Sequence, residues 1–243
     1  MVEEQINAAG GINGRPLEII VEDTEGDEAK TVMKAKKLIS QDQVIAIVGP
    51  TRSGTTMAAI PIIEKAELPM VSCAAAEAIV KPVKKWVFKT PQSDADAVRA
   101  IYDKIKAMGL VKVAIVSGTT GFGAAGREQL KNLAPEYGIT IVADETYGPK
   151  DTDMTAQLTK IKGTAAQAII NWAIVPAQTT IIKNRKQLGI TVPLFQSHGF
   201  GNIKFAQDAG DAADGVLFPG GRLLAVDTLP DSHPQKALLA KYK

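Results

Sequence analysis

The sequence predicts an α/β fold of two doubly wound lobes, each on a parallel sheet with helices over both faces. Short apolar runs alternate with helical patterns from one end of the chain to the other. The runs are continuously apolar, as strands covered on both faces are, rather than alternating. A polar, proline-bearing break, KTPQSD at 89–94, then divides the series near its middle and reads as a crossing between lobes. FPGGR at 218–222 reads as a crossing back. The expected organisation is therefore lobe one over 1–93, lobe two over 94–220, and a return segment toward lobe one over 221–243.

Taken in order, MVEEQINAAGG reads as the last turns of a helix stopped by Gly10 and Gly11. LEIIVED (17–23) is the first expected strand, and Ala29, Val32, Met33, Leu38 and Ile39 recur at helical spacing after it. VIAIVGP (44–50) is the second strand, followed by a helical pattern over 54–66. LPMVSC (68–73) and WVFKTP (86–91) complete the first series. The second series has strands at VKVAIVSG (111–118), ITIVADETY (139–147), AQAIINWA (166–173), VPLFQSHG (192–199) and GVLFPG (215–220). Helical patterns separate them, marked by Val98, Ile101, Tyr102 and Ile105, then Leu130 and Leu133, then Leu158 and Ile161, then Ile181 and Ile182.

The bulk numbers narrow the function. A chain of 243 residues can bury a real core, and a formal charge of +2 gives no reason to expect nucleic acid or an anionic membrane as partner. The lone Cys73 fixes no redox compartment, and two histidines far apart in sequence are a poor metal site. No run reaches the length of a membrane-spanning helix, and the first residues lack the basic start and apolar stretch of a secretory signal. Catalytic signatures such as G-x-S-x-G and H-E-x-x-H are missing, so neither an enzyme nor a cofactor is expected.

In such sheets ligands lie beyond the carboxyl ends of the strands, which directs attention to the loops there. GPTRSGTT (49–56) opens a helix, where free N–H groups and the Ser53 hydroxyl suit an anion; Ser53 as a plain helix cap is the alternative. Arg52 beside it pairs with an anion or points into solvent. Ala74, Ala75 and Ala76 end the next strand, where small residues admit either a ligand or close packing. GFGAAG (121–126) matches G-x-G-x-x-G and is followed by Asp144, the pattern of a dinucleotide site. Its first glycine comes too late after the strand, however, for the backbone to turn beneath a pyrophosphate. His198 ends a strand in FQSHGFGN, as a ligand contact or a satisfied structural histidine; Trp172 and Ile174 stand at the end of another. His233 is expected to be exposed.

INAAGGINGRPLEIIVED, IVGPTRSG and IPIIEKAELPMVSCAAA, followed by FKTPQSDADA, the GFG segment, DETYGPKDTDMTAQLTKIK and GVLFPGGR, resemble the leucine/isoleucine/valine-binding family. These are type I periplasmic solute-binding proteins of ATP-driven (ABC) importers. The resemblance covers essentially the whole chain. It implies two lobes closing on a cleft ligand, an extracytoplasmic location, and a membrane permease as partner. It also implies truncation at both ends, since relatives begin about one strand earlier, after a secretion signal, and run past the counterpart of Lys243. Carried over residue by residue, Ser53 holds the ligand carboxylate together with the backbone around Ala74–Ala76, where Ala76 replaces a threonine. Phe122 is the aromatic cover, presented by a glycine-loosened loop. His198 stands where amino-acid readers carry the acid that holds the α-ammonium. The expected ligand is therefore a small organic carboxylate without that ammonium, an aromatic acid among the candidates. An amino acid held by Glu77, or a sensor on the same fold, is the alternative.

Overall fold

The computed structural model describes residues 2–242. Two separate all-parallel sheets form: β1 (Ile47–Val48), β2 (Met70–Ser72) and β3 (Val87–Lys89) in the order β1-β2-β3, and a second in the order β5-β4-β6-β7. The second comprises β4 (Lys112–Gly118), β5 (Thr140–Tyr147), β6 (Ala168–Trp172) and β7 (Leu194–Gln196). Around them lie α1 (Val2–Ala8), α2 (Glu28–Ser40), α3 (Ser53–Ala66), α4 (Asp94–Ala107), α5 (Gly121–Leu133), α6 (Thr155–Lys162), α7 (Ala177–Gln187), α8 (Ile203–Ala209) and α9 (Lys236–Ala240). No helix among the described residues is long and apolar enough to cross a membrane.

Register decides which face each strand residue serves. In the first sheet Ile47, Met70 and Val87 form one row, packed with Ala59 and Ile63 of α3. The next row, Val48, Val71 and Phe88, points the other way, and Val48 and Phe88 are 81% and 53% exposed. In the second sheet Ile115, Ile170 and Phe195 share a row and a core with Val98 and Tyr102 of α4 and Leu130 of α5. The neighbouring row, Ala114, Ile169 and Leu194, packs with Leu158 of α6 and Ile181 of α7. Both faces of this sheet are covered, which is why its strands read as unbroken apolar runs.

The crossing after β3 is fixed by a reciprocal cap at the start of α4. The Ser93 side chain accepts the N3 amide while Asp96 accepts the Ser93 N–H at 3.1 Å.

Three expectations are corrected. LEIIVED joins no sheet: Leu17 N–H donates to Asn7 Oδ1 and Ile19 N–H to Glu3 Oε2, while Ile19, Ile20 and Val21 are exposed. Apolar patterning supplies a strand's side chains but not its ladder partner. GVLFPG shrinks to one parallel bridge, Phe195 to Leu217, bounded by Gly215 at φ +75° and by Pro219. The GFG segment is no loop but the first turn of α5, with the Thr120 hydroxyl accepting the Gly123 N–H at 3.3 Å.

Candidate functional site

The carboxyl ends of the two sheets face one another, and the helices that follow β1 and β4 bring their amino ends into contact there. A Cβ on Gly121 would lie 2.6 Å from the Gly54 Cα, so the approach requires glycine at 121, while a Cβ on Gly54 would press on the Glu28 carboxylate instead. Two adjoining cavities of about 110 and 130 Å³ open at the junction and share Arg52, Ser53, Phe122 and Ile174. Each compares with the ~150 Å³ that houses a benzene in an engineered protein cavity. The first is completed by Glu28, Thr55, Thr120 and Gly121, the second by Cys73, Ala75, Pro91 and His198, among others.

Ser53 begins α3 and is buried, its Oγ accepting the Ala76 N–H at 3.3 Å. That bond orients the hydroxyl and leaves its proton for another acceptor. Ala74 N–H is used likewise by Ser72 Oγ at 3.0 Å, and of the three alanines only Ala75 lines a cavity. Arg52 is exposed yet borders both cavities, its guanidinium over Gly26.

On the opposite wall Phe122, Trp172 and His198 form an aromatic cluster. The His198 ring meets Phe122 at 5.2 Å and Trp172 at 5.5 Å, edge to face in both cases. Ser197 sets the ring's approach by donating to Ala173 O and accepting the Gly199 N–H. Phe122 and Ile174 border both cavities, whereas Trp172 is fully buried behind them. Neither His198 ring nitrogen has a hydrogen-bond partner among the described residues. Burial, and after it the Lys89 ammonium, pushes the imidazole down to about 4, so the ring is uncharged at neutral pH. His233 is half-buried rather than exposed, with its Nδ1 accepting the Gln235 N–H.

Each glycine of GFGAAG answers a packing demand. Gly121 meets Gly54, a Cβ on Gly123 would strike Gly118 O, and one on Gly126 would strike the Trp172 indole at 2.0 Å. Asp144, the would-be ribose acid, is held by Arg127 Nε and Nη2 at 2.6 and 2.8 Å and ties β5 to α5. The motif is thus accounted for without a nucleotide.

Glu77 is paired with Lys81 and borders neither cavity, so it is no partner for an ammonium there. Two charged residues escaped the sequence reading. Glu28, at the start of α2, lines the first cavity. Lys89, at the end of β3, donates to Ala75 O at 3.2 Å and Pro91 O at 2.9 Å, behind the second. The carboxyl-edge rule pointed to Lys89; nothing in the sequence points to Glu28, which arrives through the packing of α2 on α3.

Two α/β lobes with a cleft at the carboxyl edges of their sheets define a two-lobed ligand-binding fold. The chain belongs to the periplasmic binding protein family, whose profile matches residues 1–243. A "Leucine-, isoleucine-, valine-, threonine-, and alanine-binding protein" of Pseudomonas aeruginosa is 28% identical, the match covering 100% of this chain and 64% of that protein. The chain thus spans less than two thirds of that relative's length. An extracellular ligand-binding receptor from Rhodopseudomonas palustris HaA2 superposes with a TM-score of 0.90 at 25% identity, over 99% of this chain and 68% of that one. The branched-chain amino acid transporter substrate-binding protein LivJ from Streptococcus pneumoniae, in complex with isoleucine, gives 0.78 at 28% identity, over 88% and 61%.

Proposed function

We propose that the chain is the ligand-binding region of an extracytoplasmic receptor that captures a small organic carboxylate between its lobes and delivers it to an ABC-type membrane permease. One observation carries the ligand class. The amino ends of α3 and α5 converge on the cavities beside the Ser53 hydroxyl, a setting that favours an anion, while the ring at His198 offers no fixed negative charge. In this reading the lobes divide at 93/94 and 220/221. Ser53, Ala75, Phe122, Ile174 and His198 touch the ligand, with Ala74, Ala76 and Trp172 as their backing. The combined cavity size suits an aromatic or branched aliphatic acid.

Glu28 favours a second reading. Its carboxylate borders the first cavity, so an amino acid seated with its ammonium toward Glu28 satisfies both ends. That is also the ligand class in the names of several relatives. Calorimetry with benzoate, 4-methylpentanoate and leucine decides between them. The first reading expects the two simple acids to bind more tightly than leucine. Tight leucine binding that is lost in Glu28→Gln, with no response to either acid, overturns it. Permease and ATPase genes beside this one distinguish import from sensing.

A further inference from the structure

Lys89 occupies an unusual position for a lysine. It is half-buried at the end of β3, and its ammonium reaches two backbone carbonyls, Ala75 and Pro91, both in residues that line the second cavity. No carboxylate among the described residues lies within ion-pair distance of it; Asp94, Asp96 and Glu77 act on it only from farther off. Asp94 is itself fully buried, with Oδ1 accepting the Glu77 and Ala95 amides. Across the same cavity stands the His198 ring with two unpartnered nitrogens. The ionisable groups bordering this cavity are Arg52, Cys73 and His198, and Lys89 stands behind the Ala75–Pro91 part of its wall.

We propose that Lys89, set behind the Ala75–Pro91 wall, is the anion-selecting charge of the cleft and draws a ligand carboxylate into the second cavity toward the His198 ring. The proposal rests on the carboxylate reading above and adds a residue to it. An ammonium removed from water without a counter-ion is under-compensated, and burial accordingly pushes Lys89 below its usual range. A carboxylate supplies the missing charge. The same anion opposes the field at His198, which burial, and after it Lys89, holds neutral in the empty cleft. The ring then takes up a proton from solvent as the ligand binds and donates to the carboxylate. Since the bound-state value is the higher, this contribution is complete at low pH and is lost as pH rises through that value.

The ligand-free test is an NMR titration of His198 in the 243-residue chain carrying His233→Asn, so that one histidine remains. Lys89→Met is expected to move the titration upward and Lys89→Arg to leave it in place; a titration indifferent to Lys89→Met overturns the coupling. The binding test is calorimetry with benzoate and benzamide in two buffers of different ionisation enthalpy. Expected are proton uptake with benzoate, a loss of about tenfold or more in benzoate affinity in Lys89→Met, and an unchanged response to benzamide. Equal benzoate affinity in the Met variant overturns the proposal. If leucine binds and benzoate does not, the carboxylate reading fails alone. Weaker leucine binding in Lys89→Met then upholds the role of Lys89, and unchanged binding ends it. Should the Met variant not fold, absence of proton uptake by the unmutated chain is decisive against the proposal.

Discussion

Gly126 shows how much one missing methyl group can carry. It lets α5 lie directly on the Trp172 indole, and a Cβ there would sit 2.0 Å from Nε1, with the rigid ring unable to withdraw from a filled core. Gly126→Ala is expected to destabilise the fold by about 1–3 kcal/mol, the usual cost of overpacking, and to lower Tm by several degrees in a calorimetric scan. An unchanged Tm would mean that α5 shifts freely. The glycine spacing was plain in the sequence, but spacing alone does not say whether a glycine admits a phosphate or an indole. His198 gives a second expectation at this scale. Its folded value of about 4 lies below the ordinary 6.5, so the unfolded chain binds more protons between the two. The stability this represents is fully present above about pH 6.5 and is lost as pH falls toward 4, on the order of 3 kcal/mol. Denaturant titrations at pH 7 and pH 4.5 measure the loss, and His198→Gln is expected to flatten it.

In the proposed function, binding depends on the helices that open onto the cleft. Ser53 both starts α3 and anchors the Ala76 amide, so Ser53→Ala removes the proposed ligand donor and orphans a buried N–H. In the carboxylate reading it is expected to weaken benzoate binding tenfold or more by calorimetry, with a smaller fall in Tm. Ser93→Ala, which breaks the reciprocal cap of α4 without removing a residue that borders either cavity, is expected to cost about 1 kcal/mol of stability and to change affinity less than Ser53→Ala does. Most elements were legible because burial on both faces writes itself into a strand as an apolar run. LEIIVED carries that signature as clearly as VKVAIVSG does, yet only the latter has ladder partners on both sides. The first turn of α5 was misread as a loop for the opposite reason: its glycines are poor helix formers, and the Thr120 cap and the packing against Gly54 and Gly118 override them.

At the scale of the whole molecule the two sheets are unequal. The second is covered on both faces, while the row Val48, Val71 and Phe88 leaves the first with an open apolar face, extended by Ile45 at 83% exposure. Parallel sheets are seldom left so. The 243-residue chain is expected to bind an apolar dye and to self-associate in light scattering at raised concentration. Phe88→Glu is expected to reduce both, and no change would show that this face is not the adhesive one. The candidate site was legible where it follows strand ends and illegible where it depends on how one helix packs on another, as Glu28 does through α2 on α3. The meeting of Gly54 and Gly121 has a consequence of its own. Each glycine lies in the first turn of its helix, the end that bears roughly half a positive charge, so the junction presses two like-signed poles together. This contact therefore works against itself like a compressed spring, and an anion beside it, or less selectively dissolved salt, is expected to ease the repulsion.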